Sequence, residues 1–250
     1  MAYCELHYFS AALGKQTAAN VLLPQSDAPG PFPVLYLLHG LSDDYTAWMR
    51  NTSIARYAAG LPLIVVMPDG GRGFYCDAAQ GFAYETAIAG DLVSYVDKMF
   101  PTIAERSGRA LAGLSMGGYG ALKLALSHPE MFCSTVSHSG AADFAHVYPD
   151  PNHAEFGRII GENPVGGAND LYGLADRFAR GELGPWPQMR IDCGTEDFLL
   201  EMNRSFHAHL QSLNLPHEYE EFPGAHEWGY WDDHIKDALA FHAKNLGIEA

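Results

Sequence analysis

The stretch ALAGLSMGGYGALKLAL, residues 110–126, decides the fold. Its first five residues are apolar or small and predict a buried strand over Ala110–Leu114. A helical pattern over Tyr119–Leu126 ends before a His-Pro pair. Between them lies Gly113-Leu-Ser-Met-Gly117, a G-x-S-x-G turn whose two outer glycines have no Cβ, so that strand and helix can approach closely. The sequence therefore predicts a strand, a sharp turn carrying Ser115, and a helix.

Working outward from this unit, apolar runs alternate with helical patterns along the chain, which predicts an α/β fold with a mostly parallel sheet and helices on both faces. The chain starts with a weakly alternating pair of antiparallel strands and has a proline-rich loop over 26–33. The predicted strands are Cys4–Phe9, Thr17–Leu23, Val34–Leu38, Leu63–Met67, Ala110–Leu114, a run near Phe132–Ser137, Met189–Cys193 and Glu218–Phe222. The predicted helices are Tyr84–Phe100, Tyr119–Leu126, Phe198–Leu213 and Trp231–Leu246.

We interpret residues 1–250 as a single domain, since 250 residues suit one large core. The segment 142–187 interrupts the alternation. It is rich in Gly, Pro and Asn, and is expected to form a small irregular insertion or lid.

Charge and cysteine content exclude several classes of partner. The net charge is −15, which disfavours nucleic acid and anionic membrane surfaces as partners. The first ten residues lack the basic and apolar regions of a signal peptide, and no apolar run is long enough to span a bilayer. The four cysteines form no C-x-x-C pair and are expected to be free thiols, which predicts a cytoplasmic protein.

Ser115 is the candidate nucleophile, because a serine on a strand–turn–helix elbow is exposed and faces the positive end of the following helix. A serine hydroxyl needs a base, and His226 in the loop FPGAHEW, near the end of the chain, suits this role. Asp197 follows the turn after a late strand and would orient the histidine, although an Asp before a helix is also a common N-cap. The alternatives are Glu196 and Asp192 for the acid and His138 for the base.

The predicted oxyanion hole consists of two backbone N–H groups. One belongs to Met116, directly after the nucleophile, and the other to Leu41 in the loop HGLSDD that follows strand Val34–Leu38. The alternative is that His39 and Gly40 form only a turn that ends the strand.

Four aromatic residues are predicted to line the substrate pocket, although each could equally be part of the ordinary core. They are Trp48, Trp228, Phe144 and Tyr148, and Tyr75 is a further candidate for the same role. The sequence has no phosphate-binding loop, no dinucleotide-binding glycine motif and no H-E-x-x-H, so no metal or cofactor is expected.

Five ordered segments resemble the esterase D family, and most closely its tributyrin esterase branch of short-chain carboxylesterases, within the α/β-hydrolase superfamily. They are YLLHGLSDDYTAWMRNTSIARYA, MPDGGRGFY, GLSMGGYGALKLAL, CGTEDFLL and PGAHEWGYWD. The resemblance implies an α/β-hydrolase fold and a serine carboxylesterase acting through an acyl-enzyme. It places Ser115, Asp197 and His226 at the triad positions and Leu41 with Met116 at the oxyanion hole.

The same family includes S-formylglutathione hydrolases, feruloyl esterases and acetyl-sugar esterases, which are alternative functions. This chain has Ser42-Asp43-Asp44 after HGL, where S-formylglutathione hydrolases usually carry Thr and Cys. Two hypotheses of another class are an acyltransferase with the same triad and a non-catalytic binding module on the same fold. The expected partner is a small-molecule ester, and relatives often form dimers or larger assemblies, so a homo-oligomer is also expected.

Overall fold

A computed structural model describes residues 1–25, 29–147 and 154–248 of the chain. Its centre is one eight-stranded sheet in the order β1-β2-β4-β3-β5-β6-β7-β8. The strands are β1 (Ala2–Ser10), β2 (Lys15–Leu23), β3 (Val34–Leu38), β4 (Ile64–Pro68), β5 (Arg109–Leu114), β6 (Ser134–His138), β7 (Gln188–Gly194) and β8 (Glu218–Phe222).

The first two strands form an antiparallel hairpin, β2 pairs antiparallel with β4, and all other neighbouring strands are parallel. The predicted α/β-hydrolase fold, with its mostly parallel sheet, is therefore confirmed. Because β3, β5, β6, β7 and β8 are parallel neighbours, the loops that follow them all leave from the same edge of the sheet. This carboxyl edge is where ligand sites form in open α/β sheets.

Eight α-helices, a π-helical segment over Thr86–Leu92 and a short 3-10 turn over Arg106–Gly108 belong to the described part of the chain. The helices are α1 (Ala47–Asn51), α2 (Ile54–Tyr57), α3 (Val93–Met99), α4 (Met116–Ser127), α5 (Ala154–Ile160), α6 (Leu171–Ala179), α7 (Leu200–Ser212) and α8 (Trp228–Leu246). The long helix predicted over Tyr84–Phe100 is thus a π-helical segment that continues into α3.

Two apolar clusters cover the two faces of the sheet, because successive strand residues point to opposite sides. In β3, Tyr36 belongs to the first cluster, with residues of α3, α4, α6 and α7. The adjacent Leu35 and Leu37 belong to the second cluster, with residues of α1, α2 and α8. The prediction of helices on both faces is confirmed.

The segment 142–187 is more regular than its composition predicted, since its described residues include α5 and α6. Asp170 caps α6 by accepting a hydrogen bond from the backbone N–H of Tyr172, and the buried face of α6 joins the first cluster. Residues 148–153 of the predicted insertion, 26–28 of the predicted loop and the last two residues lie outside the described residues.

All four cysteines, each within the described ranges, carry free thiols. No helix in the described part of the chain is long and apolar enough to cross a membrane.

Candidate active site

Ser115 occupies the turn between β5 and α4 in a backbone conformation that side chains rarely adopt, with φ 54° and ψ −118°. A Cβ on Gly113 would collide with the backbone of Gly117, and one on Gly117 would collide with the carbonyl of Leu38. The two glycines of the G-x-S-x-G pattern are therefore required by close backbone packing. As a result, Ser115 projects beyond the carboxyl edge of the sheet and remains partly exposed.

Ser115, His226 and Asp197 meet at this edge although they lie far apart in the sequence. The hydroxyl oxygen of Ser115 is 2.9 Å from Nε2 of His226, and Nδ1 of His226 is 2.8 Å from Oδ2 of Asp197. An ionised carboxylate only accepts hydrogen bonds, so Nδ1–H donates to Asp197 and Nε2 is free to accept from the Ser115 hydroxyl. This is the arrangement that activates a serine for nucleophilic attack.

Asp197 is buried, and each of its oxygens has a separate partner. Oδ2 accepts from His226, while Oδ1 accepts the backbone N–H of Leu199 at 2.8 Å, just before α7 begins. Asp197 therefore both stabilises the turn before α7 and contacts His226, so its two predicted roles are compatible. Burial raises the pKa of Asp197, but hydrogen bonds from His226, Leu199 and the Ser139 hydroxyl outweigh it, and the net pKa is lowered.

Other acidic and basic residues near the sheet edge have other partners. Glu196 accepts the backbone N–H of Gly224 at 2.6 Å, so it fixes the loop that carries His226. Asp192 and His138 are fully buried and contact each other at 2.9 Å, and Asp192 also accepts from the hydroxyl of Tyr230. Neither side chain bonds to the Ser115 hydroxyl, although the backbone carbonyl of His138 accepts the N–H of Ser115 at 2.9 Å.

The backbone N–H groups of Leu41 and Met116 have no hydrogen-bond acceptor among the described residues, and both residues line a cavity that contains Ser115. His39 determines the orientation of the Leu41 peptide. Its Nδ1 lies 2.7 Å from the carbonyl oxygen of Gly40, and its Nε2 accepts the N–H of Gly70 at 2.8 Å. His39 thus helps to hold the oxyanion loop in place, a role that sequence reasoning missed.

Two cavities open on Ser115. The first, which we call the apolar cavity, has a volume of about 370 Å³. Its walls come from the loops after β3, β4, β5, β6 and β7, and from α4, α5 and α7. They consist of Leu41, Phe74, Ser115, Met116, Ala141, Phe144, Val147, Phe156, Phe198, Leu199 and Met202. Phe74 and Phe144 stack at 3.7 Å between ring centroids, so this wall is rigid and aromatic.

The second, which we call the acidic cavity, has a volume of about 480 Å³ and contains His226. It is lined by Gly40, Leu41, Ser42, Asp43, Leu114, Ser115, Phe198, His226, Glu227, Trp228 and Trp231. Phe198 lines both cavities, is 76% exposed, and packs its ring 4.5 Å from that of His226. It therefore separates the two spaces at Ser115.

Comparison with protein families matches residues 10–242 to the Esterase family, described as "Putative esterase". The chain belongs to this family. A relative, the acetyl esterase of Caldicellulosiruptor saccharolyticus, is 27% identical to this esterase over 266 residues, which cover 98% of the chain and 99% of that protein.

Solved structures of serine hydrolases superpose closely on this esterase. The fluorophosphonate-binding serine hydrolase FphF of Staphylococcus aureus, determined with bound substrate, is 35% identical with a TM-score of 0.88, over 96% of this chain and 98% of that one. The S-formylglutathione hydrolase FrmB of the same organism is 34% identical with a TM-score of 0.86, over the same shares. This esterase is accordingly a carboxylic ester hydrolase of the serine hydrolase type.

The aromatic residues predicted for the pocket have different positions in this esterase. Phe144 lines the apolar cavity and Trp228 the acidic cavity. The prediction that Trp48 lines the pocket is wrong. Trp48 is buried behind Trp228, donates its indole N–H to the carbonyl of Leu38 at 3.0 Å and lines neither cavity. Tyr75 is likewise buried, with its hydroxyl on the carbonyl of His39. Tyr148 lies outside the described residues.

Sequence reasoning missed three phenylalanines of the cavities, namely Phe74, Phe156 and Phe198. The available signal was the position of Phe198 directly after Asp197. Within the three described ranges, no group of three or more His, Cys, Asp or Glu side chains is arranged to hold a metal ion.

Proposed function

We propose that this esterase hydrolyses carboxylic esters of short acyl chains with Ser115 as nucleophile, His226 as general base and acid, and Asp197 as the group that orients His226. The observation that carries the proposal is the continuous hydrogen-bond chain from the Ser115 hydroxyl through His226 to the buried carboxylate. The ordered motifs support assignment of the chain to the esterase D family, near its tributyrin esterase branch.

In the first half of the reaction, the Ser115 oxygen attacks the ester carbonyl while its proton passes to Nε2 of His226. The carbonyl oxygen becomes negative and accepts the N–H groups of Leu41 and Met116, which are free for this purpose. Collapse of the tetrahedral intermediate breaks the bond to the alcohol, which takes the proton from His226. Water then attacks the acyl-enzyme by the same route and releases the acid and Ser115.

The position of His226 assigns the two cavities to the two parts of the ester. The leaving alcohol must be next to Nε2 of His226 to receive its proton, and His226 lines only the acidic cavity. The acyl chain then enters the apolar cavity, which Met116 also lines. A volume of about 370 Å³ with aromatic walls favours an apolar acyl chain longer than formyl or acetyl.

The test replaces Ser115 and varies the acyl chain. Ser115→Ala is expected to lower the turnover of p-nitrophenyl butyrate by at least about a thousandfold and to abolish labelling by a fluorophosphonate probe. A series of p-nitrophenyl esters from formate to octanoate is expected to give the highest kcat/KM at butyrate or longer. Activity of Ser115→Ala near that of the unchanged enzyme would eliminate the mechanism, and a maximum at formate would eliminate the acyl assignment.

A further inference from the structure

The acidic cavity has a charge and a wall composition unlike those of the apolar cavity. Asp43, from the loop after β3, and Glu227, directly before α8, both line it. Neither carboxylate forms a side-chain hydrogen bond or an ion pair with another residue of the described ranges. Two uncompensated negative charges therefore face the space that contains His226.

Aromatic rings form another wall of the same cavity. Trp228 and Trp231 both line it and lie edge to face, with ring centroids 5.3 Å apart. Trp228 also packs against the buried Trp48, so its ring is held in place from behind. Indole faces attract cations, and more strongly when carboxylates add their charge.

No lysine or arginine is among the described residues that line the acidic cavity. Arg72 donates to the carbonyl of Leu41 at 3.5 Å, but its guanidinium is paired with Glu155 and lines a different cavity. An anionic leaving group would thus meet two carboxylates without a balancing cation.

We propose that the acidic cavity is a subsite for a cationic alcohol, formed by Asp43 and Glu227 together with the rings of Trp228 and Trp231. The inference rests on the proposed function, because it uses His226 to place the leaving group. Its substrate class is the ester of an apolar acid with an amino or quaternary-ammonium alcohol. Esters and thioesters whose leaving group is anionic, glutathione among them, are expected to be poor substrates.

The experiment compares three butyrate esters of nearly equal size: butyrylcholine, its neutral isostere 3,3-dimethylbutyl butyrate, and the anionic 3-carboxy-3-methylbutyl butyrate. The ammonium group also makes choline a better leaving group in any enzyme. The diagnostic quantity is therefore the change in the ratio of kcat/KM values between variants, in which this intrinsic difference and any loss of folded enzyme cancel.

In Asp43→Asn/Glu227→Gln, the preference for butyrylcholine over the neutral ester is expected to fall by about 5- to 10-fold, since one contact between unit charges in water is worth roughly a factor of five. The relative rate of the anionic ester is expected to rise by a similar factor. In the unchanged enzyme, 0.5 M KCl is expected to reduce the preference, because salt screens exposed charges. Asp233→Asn/Glu130→Gln removes the same two charges from largely exposed sites outside the cavity and serves as the matched control.

Equal ratios in the double variant, the control and the unchanged enzyme would overturn the subsite. So would a loss of preference as large in Asp233→Asn/Glu130→Gln, because net charge alone would then explain it. If none of the three esters is hydrolysed, the proposed function fails and the subsite with it. Hydrolysis of all three esters without discrimination refutes the subsite alone.

Discussion

Replacing His39 tests whether this buried imidazole holds the oxyanion loop in its working shape. The N–H of Gly70 can only donate, so Nε2 of His39 must be unprotonated and Nδ1–H must donate to the carbonyl of Gly40. That carbonyl and the N–H of Leu41 belong to one planar peptide and point in opposite directions. Holding the carbonyl therefore aims the N–H of Leu41 at the space beside Ser115.

Two amide variants separate the two hydrogen bonds. In His39→Asn, the side-chain NH₂ can occupy the position of Nδ1 and keep the bond to Gly40, whereas in His39→Gln the longer side chain reaches Gly70 and loses it. Removing an oxyanion donor outright costs about 10²–10³ in kcat. His39→Gln removes one of the two hydrogen bonds on the carbonyl of Gly40, and the other, from the N–H of Asp43 at 3.2 Å, remains. Because the peptide of Leu41 is loosened and its N–H is not removed, we expect a loss of roughly 10- to 100-fold, or about 1.4–2.7 kcal/mol of activation free energy.

His39→Asn is expected to lose less than about tenfold in kcat, and KM is expected to change little in both variants, since the oxyanion forms only in the transition state. His39→Asn leaves the N–H of Gly70 unpaired, which costs about 1–3 kcal/mol of folding stability, whereas in His39→Gln the carbonyl of Gly40 still accepts the N–H of Asp43 at 3.2 Å, so a smaller loss is expected. The measurements are kcat and KM with p-nitrophenyl butyrate, corrected by fluorophosphonate titration of Ser115, together with urea unfolding. Equal kcat values per active site in the two variants would refute the role assigned to His39.

Two further substitutions test the charged groups. Asp197→Asn is expected to lower kcat at neutral pH by about 10³–10⁴-fold with little change in stability, because an amide NH₂ facing Nδ1 favours the wrong tautomer of His226; a pH–rate profile of kcat/KM checks this, and a loss below tenfold would contradict it. Glu85→Gln leaves the fully buried Lys123 without its partner and is expected to cost about 3–5 kcal/mol at pH 7 by urea unfolding. Burial raises the pKa of Glu85, but its cationic neighbours outweigh this effect and hold the pKa below the usual 4.5. In the unchanged enzyme, the stability that ionised Glu85 contributes is therefore present above pH 4.5 and is lost as the pH falls through the lowered pKa. The difference between Glu85→Gln and the unchanged enzyme should therefore shrink in acid, and a constant difference would contradict the assignment.

The sequence predicted where the strands lie along the chain, because most of them are apolar on both faces. The limits of β3 and β8 agree with the prediction, whereas β6 begins at Ser134 instead of near Phe132. Its residues are mostly polar yet fully buried, and Ser134 bonds to the buried His242. A strand of polar residues gives no apolar signal even where it is fully buried, so only its pairing partners reveal its register.

The helix after Ser115 begins three residues before its predicted start. Glycines are poor helix formers, so Gly117 and Gly118 did not suggest a helix. In the structure, a Cβ on Gly118 would approach the hydroxyl of Ser137 and the backbone of β6, so the small residues serve close packing. Local propensity and tertiary fit disagree here, and the tertiary fit prevails.

Sequence spacing also could not identify the cavity walls. The sequence predicted both Trp48 and Trp228 as pocket residues and favoured Trp228, which lies two residues after His226. In the structure the two rings touch, and only Trp228 reaches the acidic cavity. Phe74 and Phe156 belong to segments remote in sequence whose rings meet 5.0 Å apart. Which of two touching rings lines a cavity depends on the chain topology, and composition does not encode that topology.

Strand order explains why the parts of the site come from so many loops. The oxyanion loop follows β3 and Ser115 follows its neighbour β5, while Asp197 and His226 follow the adjacent pair β7 and β8. Only β6 lies between the two pairs, and the residue after it, Ser139, has the unfavourable φ of 49° and accepts the indole N–H of Trp231 at 3.4 Å. The Ser139 hydroxyl also lowers the pKa of Asp197. A side chain at this strained position thus acts on the acid of the triad, which a glycine in the same conformation could not do.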